Sequence, residues 1–389
     1  MWLRVVEQPG ARVFALLSAI EAASRALIAG IIPLEAYALL REAQTISLVY
    51  TVVGGLAFAT SFLVPLALRA IRRKWIFSIG VACMIAAPLL MAIESALPFV
   101  LALQVRGLAV VCVNISLNLY ILDYIRRKEF VTAEPLRLAF LGIAWFIGPA
   151  LGIYLYQHVG ILAVSGLSAG FAALTLGFFW YLRLRENPAV APATRRQPMP
   201  WQYIRRYVAQ PRLRLAWIIP FGRSTYWTTF FVYPPLYLLQ HGGNESLVAV
   251  TIAGGQGLLF AAPLFGRLGS RYGIRRIIVL AAAGSGLMSI AIALVEPGPL
   301  LAAAMFVGAA IGSSALDALG NIPFLRAVHH YERSEMTSVF RTYIEASQLL
   351  PSAVYTAVLL VAPLQSVFLV LGAVLLISAW YARYLPKGL

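Results

Sequence analysis

Residues 183–214 read RLRENPAVAPATRRQPMPWQYIRRYVAQPRLR, with eight arginines (183, 185, 195, 196, 205, 206, 212 and 214) and prolines at 188, 192, 198, 200 and 211. Little in this stretch could sit in oil. What lies on either side of it could: the chain is 61% apolar and only 12% charged over 389 residues, and it carries repeated runs of about 20 residues almost free of charge. Runs of that length match the hydrocarbon thickness of a bilayer at the α-helical rise, so the chain reads as a polytopic, all-α membrane protein. The basic stretch divides it into two halves, 1–182 and 215–389, joined by a polar linker at 183–214.

Twelve spans fit the pattern: 13–34, 46–68, 75–95, 98–122, 136–157 and 160–182 before the linker, then 215–239, 246–266, 274–295, 299–322, 335–361 and 364–385 after it. An even number puts both termini on one side. The loops on that side hold Arg69, Arg72, Arg73 and Lys74, then Arg126, Arg127 and Lys128, the linker, Arg267, Arg271, Arg275 and Arg276, and finally Arg326 and Arg333; the opposite loops contribute Arg41. By the positive-inside rule this places the termini and linker in the cytoplasm of a cell with the protein in its inner membrane. The formal charge of +16 is thereby explained by threading and lipid contact, and nucleic-acid binding is excluded. Cys83 and Cys112 fall inside apolar runs as small hydrophobes. The first apolar run, interrupted by Glu21 and Arg25 and lacking a small-residue cleavage site, does not read as a cleavable signal peptide.

The halves repeat weakly at an offset of about 200 residues. Pro65, Leu66 and Arg69 are echoed by Pro263, Leu264 and Arg267; Asn118 with Arg126 by Asp317 with Arg326; Phe140 and Pro149 by Phe340 and Pro351. Duplicated helix bundles of this kind are a common way to build a transporter, with the solute site near mid-membrane depth.

Three stretches make the chain similar to the major facilitator superfamily. Gly266-Arg267-Leu-Gly-Ser270-Arg271-Tyr-Gly273-Ile-Arg275-Arg276 resembles the family's cytoplasmic signature loop, departing from it at Ser270, where the family has Asp; the first-half counterpart, Arg69 to Lys74, keeps the arginines alone. Leu103-Gln-Val-Arg106-Gly107 resembles its buried-arginine motif. Ala144-Trp145-Phe-Ile-Gly148-Pro149-Ala-Leu-Gly152 resembles the glycine-proline motif of its proton-exchanging exporters, although two glycines one turn apart serve plain helix packing equally well. The resemblance implies a fold of twelve helices in two pseudo-symmetric six-helix bundles, acting as a monomer on a small-molecule substrate with protons as the coupling ion.

Charges inside the spans cost several kcal/mol at the bilayer centre by roughly the insertion scales, so they mark candidate sites. They are Glu21, Arg25, Arg106, Arg223, Asp317, Arg341 and Glu345, with Asp123 nearer the rim. Glu21 and Arg25 stand four apart on the first helix and Arg341 and Glu345 four apart on the eleventh, so each pair can neutralise itself, as structural pairs also would. Asn114 with Asn118, and Asp317 with Asn321, repeat the spacing. Arg25 and Arg223 occupy the first and seventh helices, and such a pair, the first ahead of Pro33, is similar to the organophosphate antiporters of the same superfamily. Guanidinium forks suit carboxylate and phosphate oxygens. Tyr226 and Trp227, close after Arg223, complete the expected solute contacts: Arg25, Arg223, Arg106, Asn114, Tyr226, Trp227 and Arg341 for substrate, and Glu21, Asp317 and Glu345 for protons.

The function expected is secondary active transport, as proton-coupled export of an anionic, zwitterionic or amphipathic solute. Uptake or exchange of an organic anion through Arg25 and Arg223 is the alternative. A polytopic membrane enzyme or a non-transporting sensor is the rival class, and the histidines argue against the former: His158, His241, His329 and His330 lie in loops or at span ends, with no metal or nucleophile spacing and no cofactor expected.

Overall fold

The structure is a computed structural model that describes residues 10–68, 70–125, 130–182, 200–328, 336 and 339–386. Of the basic loop residues named above, Arg69, Arg126, Arg127, Lys128 and Arg333 lie outside the described residues, as do His329, His330 and the first part of the linker.

The elements are α1 (Ala11–Ala29), α2 (Ile32–Leu40), α3 (Ala43–Ala67), α4 (Arg73–Met91), α5 (Ala96–Tyr124), α6 (Phe130–His158), α7 (Ile161–Tyr181), α8 (Pro200–Ala209), α9 (Pro211–Gln240), α10 (Glu245–Gly257), α11 (Ala262–Tyr272), α12 (Ile274–Val295), α13 (Pro299–Leu319), α14 (Ile322–Ala327), α15 (Tyr343–Val358) and α16 (Ser366–Ala382). Helices are the expected answer in hydrocarbon, where each backbone donor and acceptor must be satisfied within its own segment. Among the described residues, nine helical stretches are long and apolar enough to cross a bilayer. The seventh span, α9, is 30 residues long but diluted by Arg212, Arg214 and Arg223, and α15 and α16 have 16 and 17 residues.

Several expected spans are interrupted, the eleventh at Thr342 among them. The first breaks at Gly30 and Ile31, and α2 restarts with Pro33 in its first turn, where a missing amide hydrogen costs nothing. The eighth passes through a 3₁₀ turn at Leu258–Ala261 just ahead of Pro263, and the tenth turns at Gly320 and Asn321 before α14.

Contacts divide the chain into two compact units, Met1–Leu40 with Val52–Arg195, and Arg41–Thr51 with Arg196–Leu389. In the first, Phe14 and Leu17 of α1, Phe77 and Val81 of α4, Val113 and Tyr120 of α5 and Phe179 of α7 form a continuous apolar core. Ser24 and Ser168 join α1 to α7 reciprocally, each hydroxyl donating to the other residue's carbonyl at 2.9 and 2.8 Å. In the second, Ile219, Phe265, Ile278, Leu316 and Ala379 fill the centre of one core, while Tyr207, Leu213, Phe324, Phe340 and Tyr343 pack another where α8 meets α9, α14 and α15. Burial pushes the Tyr207 phenol well above its usual range, so this ring docks α8 in its neutral form.

The first turns of α3 belong to the second unit. Ser47 donates to the Ser352 carbonyl (3.1 Å) and accepts from Tyr233 (2.8 Å) and Thr356 (3.1 Å), while Thr51 pairs with Thr356 at 3.0 Å. Hydroxyls of this kind replace the apolar driving force that lipid does not supply.

Close helix approach depends on small residues. A side chain added at Gly152 would run into the Leu27 carbonyl and one at Gly148 into Ala26, so α6 lies directly on α1; Gly312 on α13 meets α12 at Ala281 and Ser285 in the same way. Replacing Gly152 by Val should therefore lower the stability of the detergent-purified protein by about 1–3 kcal/mol, the usual range for overpacking. Gly166→Val, where an added side chain meets nothing, serves as the control. Thermal unfolding followed by tryptophan fluorescence checks this, and equal midpoints would contradict the packing described.

Candidate functional site in each bundle

In the first unit the site starts from one turn of α1. Arg25 grips Glu21 with two contacts, Nε to Oε1 at 2.6 Å and Nη2 donating to Oε2 at 2.9 Å. Glu21 is 2% exposed and Arg25 16%, so this ion pair, with its one hydrogen bond from Nη2, is largely desolvated. Because Gly148 and Gly152 seat α6 against Ala26 and Leu27, the two residues after Arg25, Trp145 comes alongside as well. The guanidinium carbon lies 5.8 Å from the Trp145 ring centre, within cation–π range. The glycine-proline motif thus has a local consequence beyond packing, since it brings an aromatic face to the buried arginine.

In the second unit the corresponding arginine finds its acid on another helix. Arg223 of α9 pairs with Asp317 of α13, Nη1 to Oδ1 at 2.9 Å, and Nη2 donates to the Tyr343 hydroxyl of α15 at 3.0 Å. Trp227, four residues on and so on the same face of α9, donates its indole N–H to the other carboxylate oxygen at 2.6 Å. Arg223 also stands 5.5 Å from the Tyr343 ring centre. One helix turn away, Ser347 donates to Ser224 at 2.7 Å and ties α15 to α9. Arg25 and Trp145 are thus repeated as Arg223 and Tyr343, 198 positions further on in both cases. The aromatic comes from the fifth helix of its own half each time.

The remaining expected residues are distributed differently. Tyr226 is buried at 2% exposure, its hydroxyl donating to the Phe306 carbonyl at 3.0 Å and its ring stacked on Phe230. Arg106 is half-buried on α5 beside Gly107, whose missing side chain admits Val53. Asn114 is exposed on its bundle. Arg341 is exposed too, and no ion pair joins it to Glu345; between them the chain turns at Thr342, whose amide and hydroxyl both bind the Val339 carbonyl. Asp317, grouped with Asn321 by spacing, is taken by Arg223.

In the signature loop, Gly273 has φ of +92° where α11 gives way to α12, a conformation that favours glycine, and Gly269 lies against Leu319. Gly266 has open surroundings, Arg267 and Arg271 are exposed, Arg275 is half-buried, and Ser270 turns its hydroxyl back on the Arg267 carbonyl at 2.8 Å. Pro149 offers its carbonyl to the close approach of Gly30. Among the described residues no group of three or more His, Cys, Asp or Glu could hold a metal ion.

One buried acid escapes the sequence reading. Glu35 is 5% exposed and accepts a hydrogen bond from Tyr156 at 2.7 Å. The signal was a carboxylate in the apolar run IIPLEAYALL, and ending the first span at residue 34 put it outside the membrane.

These features, helical spans in two six-helix halves with an arginine–carboxylate–aromatic cluster in each, define a multi-pass membrane carrier. The family model of the Major Facilitator Superfamily matches residues 14–258, and the chain belongs to that family. It is a transporter of small solutes with the twelve-helix fold of its family. Among solved structures it is similar to the nucleoside transporter NupG, at 15% identity and TM-score 0.70 over 97% of this chain and 100% of that one. It is similar also to a POT family transporter in complex with 5-aminolevulinic acid, at 13% identity and TM-score 0.73 over 95% and 94%. A mutant of the peptide transporter POT gives 12% identity and TM-score 0.75 over 96% and 93%. No curated protein matches the chain in sequence.

Removing one member of a desolvated ion pair strands the other. Asp317→Asn should destabilise the protein by about 2 kcal/mol, below the range for fully buried pairs because the Asp317 side chain is 24% exposed. Adding Arg223→Gln should restore most of that loss. A double-mutant cycle of unfolding midpoints reads the coupling, and additive losses would mean that the pair contributes nothing.

Proposed function

We propose that the protein is a proton-coupled antiporter that exports a small zwitterionic or amphipathic solute by alternating access, with Arg25 and Arg223 as solute contacts and Glu21, Asp317 and Glu345 as proton carriers. The observation that carries this reading is the repeated cluster: in each half, an arginine of the leading helix is held by a carboxylate and faces an aromatic ring of the fifth helix. Because each arginine already has its own acid, neither cluster carries a net charge. A ligand with both signs can satisfy the guanidinium and the carboxylate together, whereas a simple anion would leave the acid stranded.

The coupling follows from competition. A cationic group of the solute and a proton seek the same carboxylate oxygens, so protonation of Asp317 releases the solute, and solute entry expels the proton. Trp227, donating to Asp317 Oδ2, positions that carboxylate; Tyr343 positions Arg223. The glycine-proline helix supports the exporter reading, since it sets Trp145 beside Arg25. Organic-anion exchange through the same arginines is the competing outcome, and it differs in sign: an anion that takes the guanidinium frees the acid to accept a proton, and the two then move together.

A thermal-shift screen over zwitterionic, anionic and cationic metabolites supplies the solute, and 5-aminolevulinic acid and a thioalcohol-conjugated peptide belong at its head, since POT family fold neighbours are in complex with them. In proteoliposomes loaded with a pH dye, the solute identified should drive proton flux in the opposite direction. Asp317→Asn should abolish that flux while leaving solute–solute exchange, and Arg25→Gln and Arg223→Gln should each weaken solute-induced stabilisation roughly tenfold or more, the loss of one charge-assisted contact. If neutralising Glu21, Asp317 and Glu345 one at a time changes coupling in none of them, the antiport reading falls.

The same reading puts both termini and the linker in the cytoplasm of an inner-membrane protein. Reporter fusions after residues 209 and 386 should be active only as cytoplasmic reporters, and a fusion at residue 242 only as an external one; the reverse pattern would invert the direction of transport.

A further inference from the structure

A cleft of about 230 Å³ opens at the end of the second unit where α9 begins and α16 finishes. Arg212 and Arg326 line it, and Leu215, Pro323, Leu385 and Pro386 supply its apolar walls. It lies apart from the Arg223 cluster and has no part in the coupling scheme above. Both arginines are exposed at the surface. Two guanidinium groups over an apolar floor favour a ligand that is anionic at one point and hydrocarbon next to it.

A separate feature shows what surrounds this end of the bundle. α8, immediately ahead of α9, buries Tyr207 against Leu213 and Phe324, while Ile204 and Val208, four residues apart and so on one face, are 42% and 49% exposed. Arg205 and Arg206 lie between them in sequence and are exposed. A short helix with a docked aromatic, an outward apolar stripe and flanking arginines is built to lie in the headgroup layer, with its stripe toward the acyl chains. Since α8 runs directly into α9 through Gln210, and Arg212 is the second residue of α9, the cleft stands at the level of that layer.

We infer that this cleft is a binding site for an anionic phospholipid, with the headgroup phosphodiester between Arg212 and Arg326 and the glycerol and first acyl carbons on Leu215, Pro323 and Leu385. The choice of phospholipid over free phosphate rests on those walls, which a bare anion would leave in water. A lipid held here contacts the starts of α9 and α14 and the end of α16, and so braces the three elements against one another.

Native mass spectrometry of the full-length protein released from mixed micelles of phosphatidylglycerol and phosphatidylcholine tests the site. The parent protein should retain phosphatidylglycerol selectively. Arg212→Gln with Arg326→Gln should lower that retention roughly thirtyfold, the effect of two basic contacts at a membrane surface. Ala327→Trp, which fills the cleft and leaves both arginines in place, should do the same, and Arg276→Gln, outside the cleft, should not. Thermal shift with inorganic phosphate separates the sources: stabilisation by phosphate alone that is lost in the double variant would replace the lipid with a soluble anion. Undiminished phosphatidylglycerol retention by both cleft variants, or equal retention of the two lipids by the parent, would overturn the inference. Solute-driven proton flux is not part of this readout, so the lipid site and the antiport reading succeed or fail separately.

Discussion

A charge inside a bilayer has no water to turn to, and the arrangement of this protein's polar groups follows from that constraint. Glu21 and Arg25 solve it within one helix turn, with Trp145 of α6 alongside the guanidinium. Arg223 solves it across three helices, with Asp317, Tyr343 and, through the carboxylate, Trp227. The second arrangement ties α9, α13 and α15 into one polar cluster. It fixes their rotation about their own axes, because a helix turned by a third of a turn would present the arginine to hydrocarbon at a cost of several kcal/mol, by roughly the insertion scales.

Packing and chemistry are connected by the small residues. Lipid tails are as apolar as leucine, so helices in a membrane gain by approaching closely rather than by leaving water. Gly148 and Gly152 allow α6 onto α1 at the two residues that follow Arg25, and the same approach delivers Trp145 to the guanidinium. In the second half the approach is made by serines, with Ser347 donating to Ser224, the residue after Arg223. Two kinds of small residue thus accompany the same pairing of a leading-helix arginine with a fifth-helix aromatic. The glycine-proline motif and the buried arginine belong to one local arrangement.

Legibility varied with the range of the interaction. The apolar helices were plain from residue type, and so was the glycine at position 273, because a turn between two helices needs a positive φ there. Spacing rules worked where the helix was continuous, as at Glu21 and Arg25, and failed where it was not. Arg341 and Glu345 have the right separation, but a turn at Thr342 lies between them, no ion pair joins them and Arg341 is exposed. The acid at position 35 lies past the expected end of the first span, on α2, which continues to Leu40 and buries it against Tyr156. Tyr226 and Trp227, adjacent in sequence and equally aromatic, face different neighbours: one binds a backbone carbonyl in the bundle's interior, the other the carboxylate of Asp317.

What the sequence alone determined is the set of properties that hydrogen bonding within a segment decides. Runs long enough to span hydrocarbon must become helices, so the all-helical, multi-pass fold follows from composition along the chain. Which charge meets which was decided only by the tertiary structure. Asp317 lies 94 positions from Arg223 and could equally have turned to Asn321, its neighbour one turn along. The physical reason is that Coulomb attraction and hydrogen bonding act over a few ångströms, and side chains from separate helices come within that distance only after packing against glycine and serine has set how closely, and at what rotation, the helices meet.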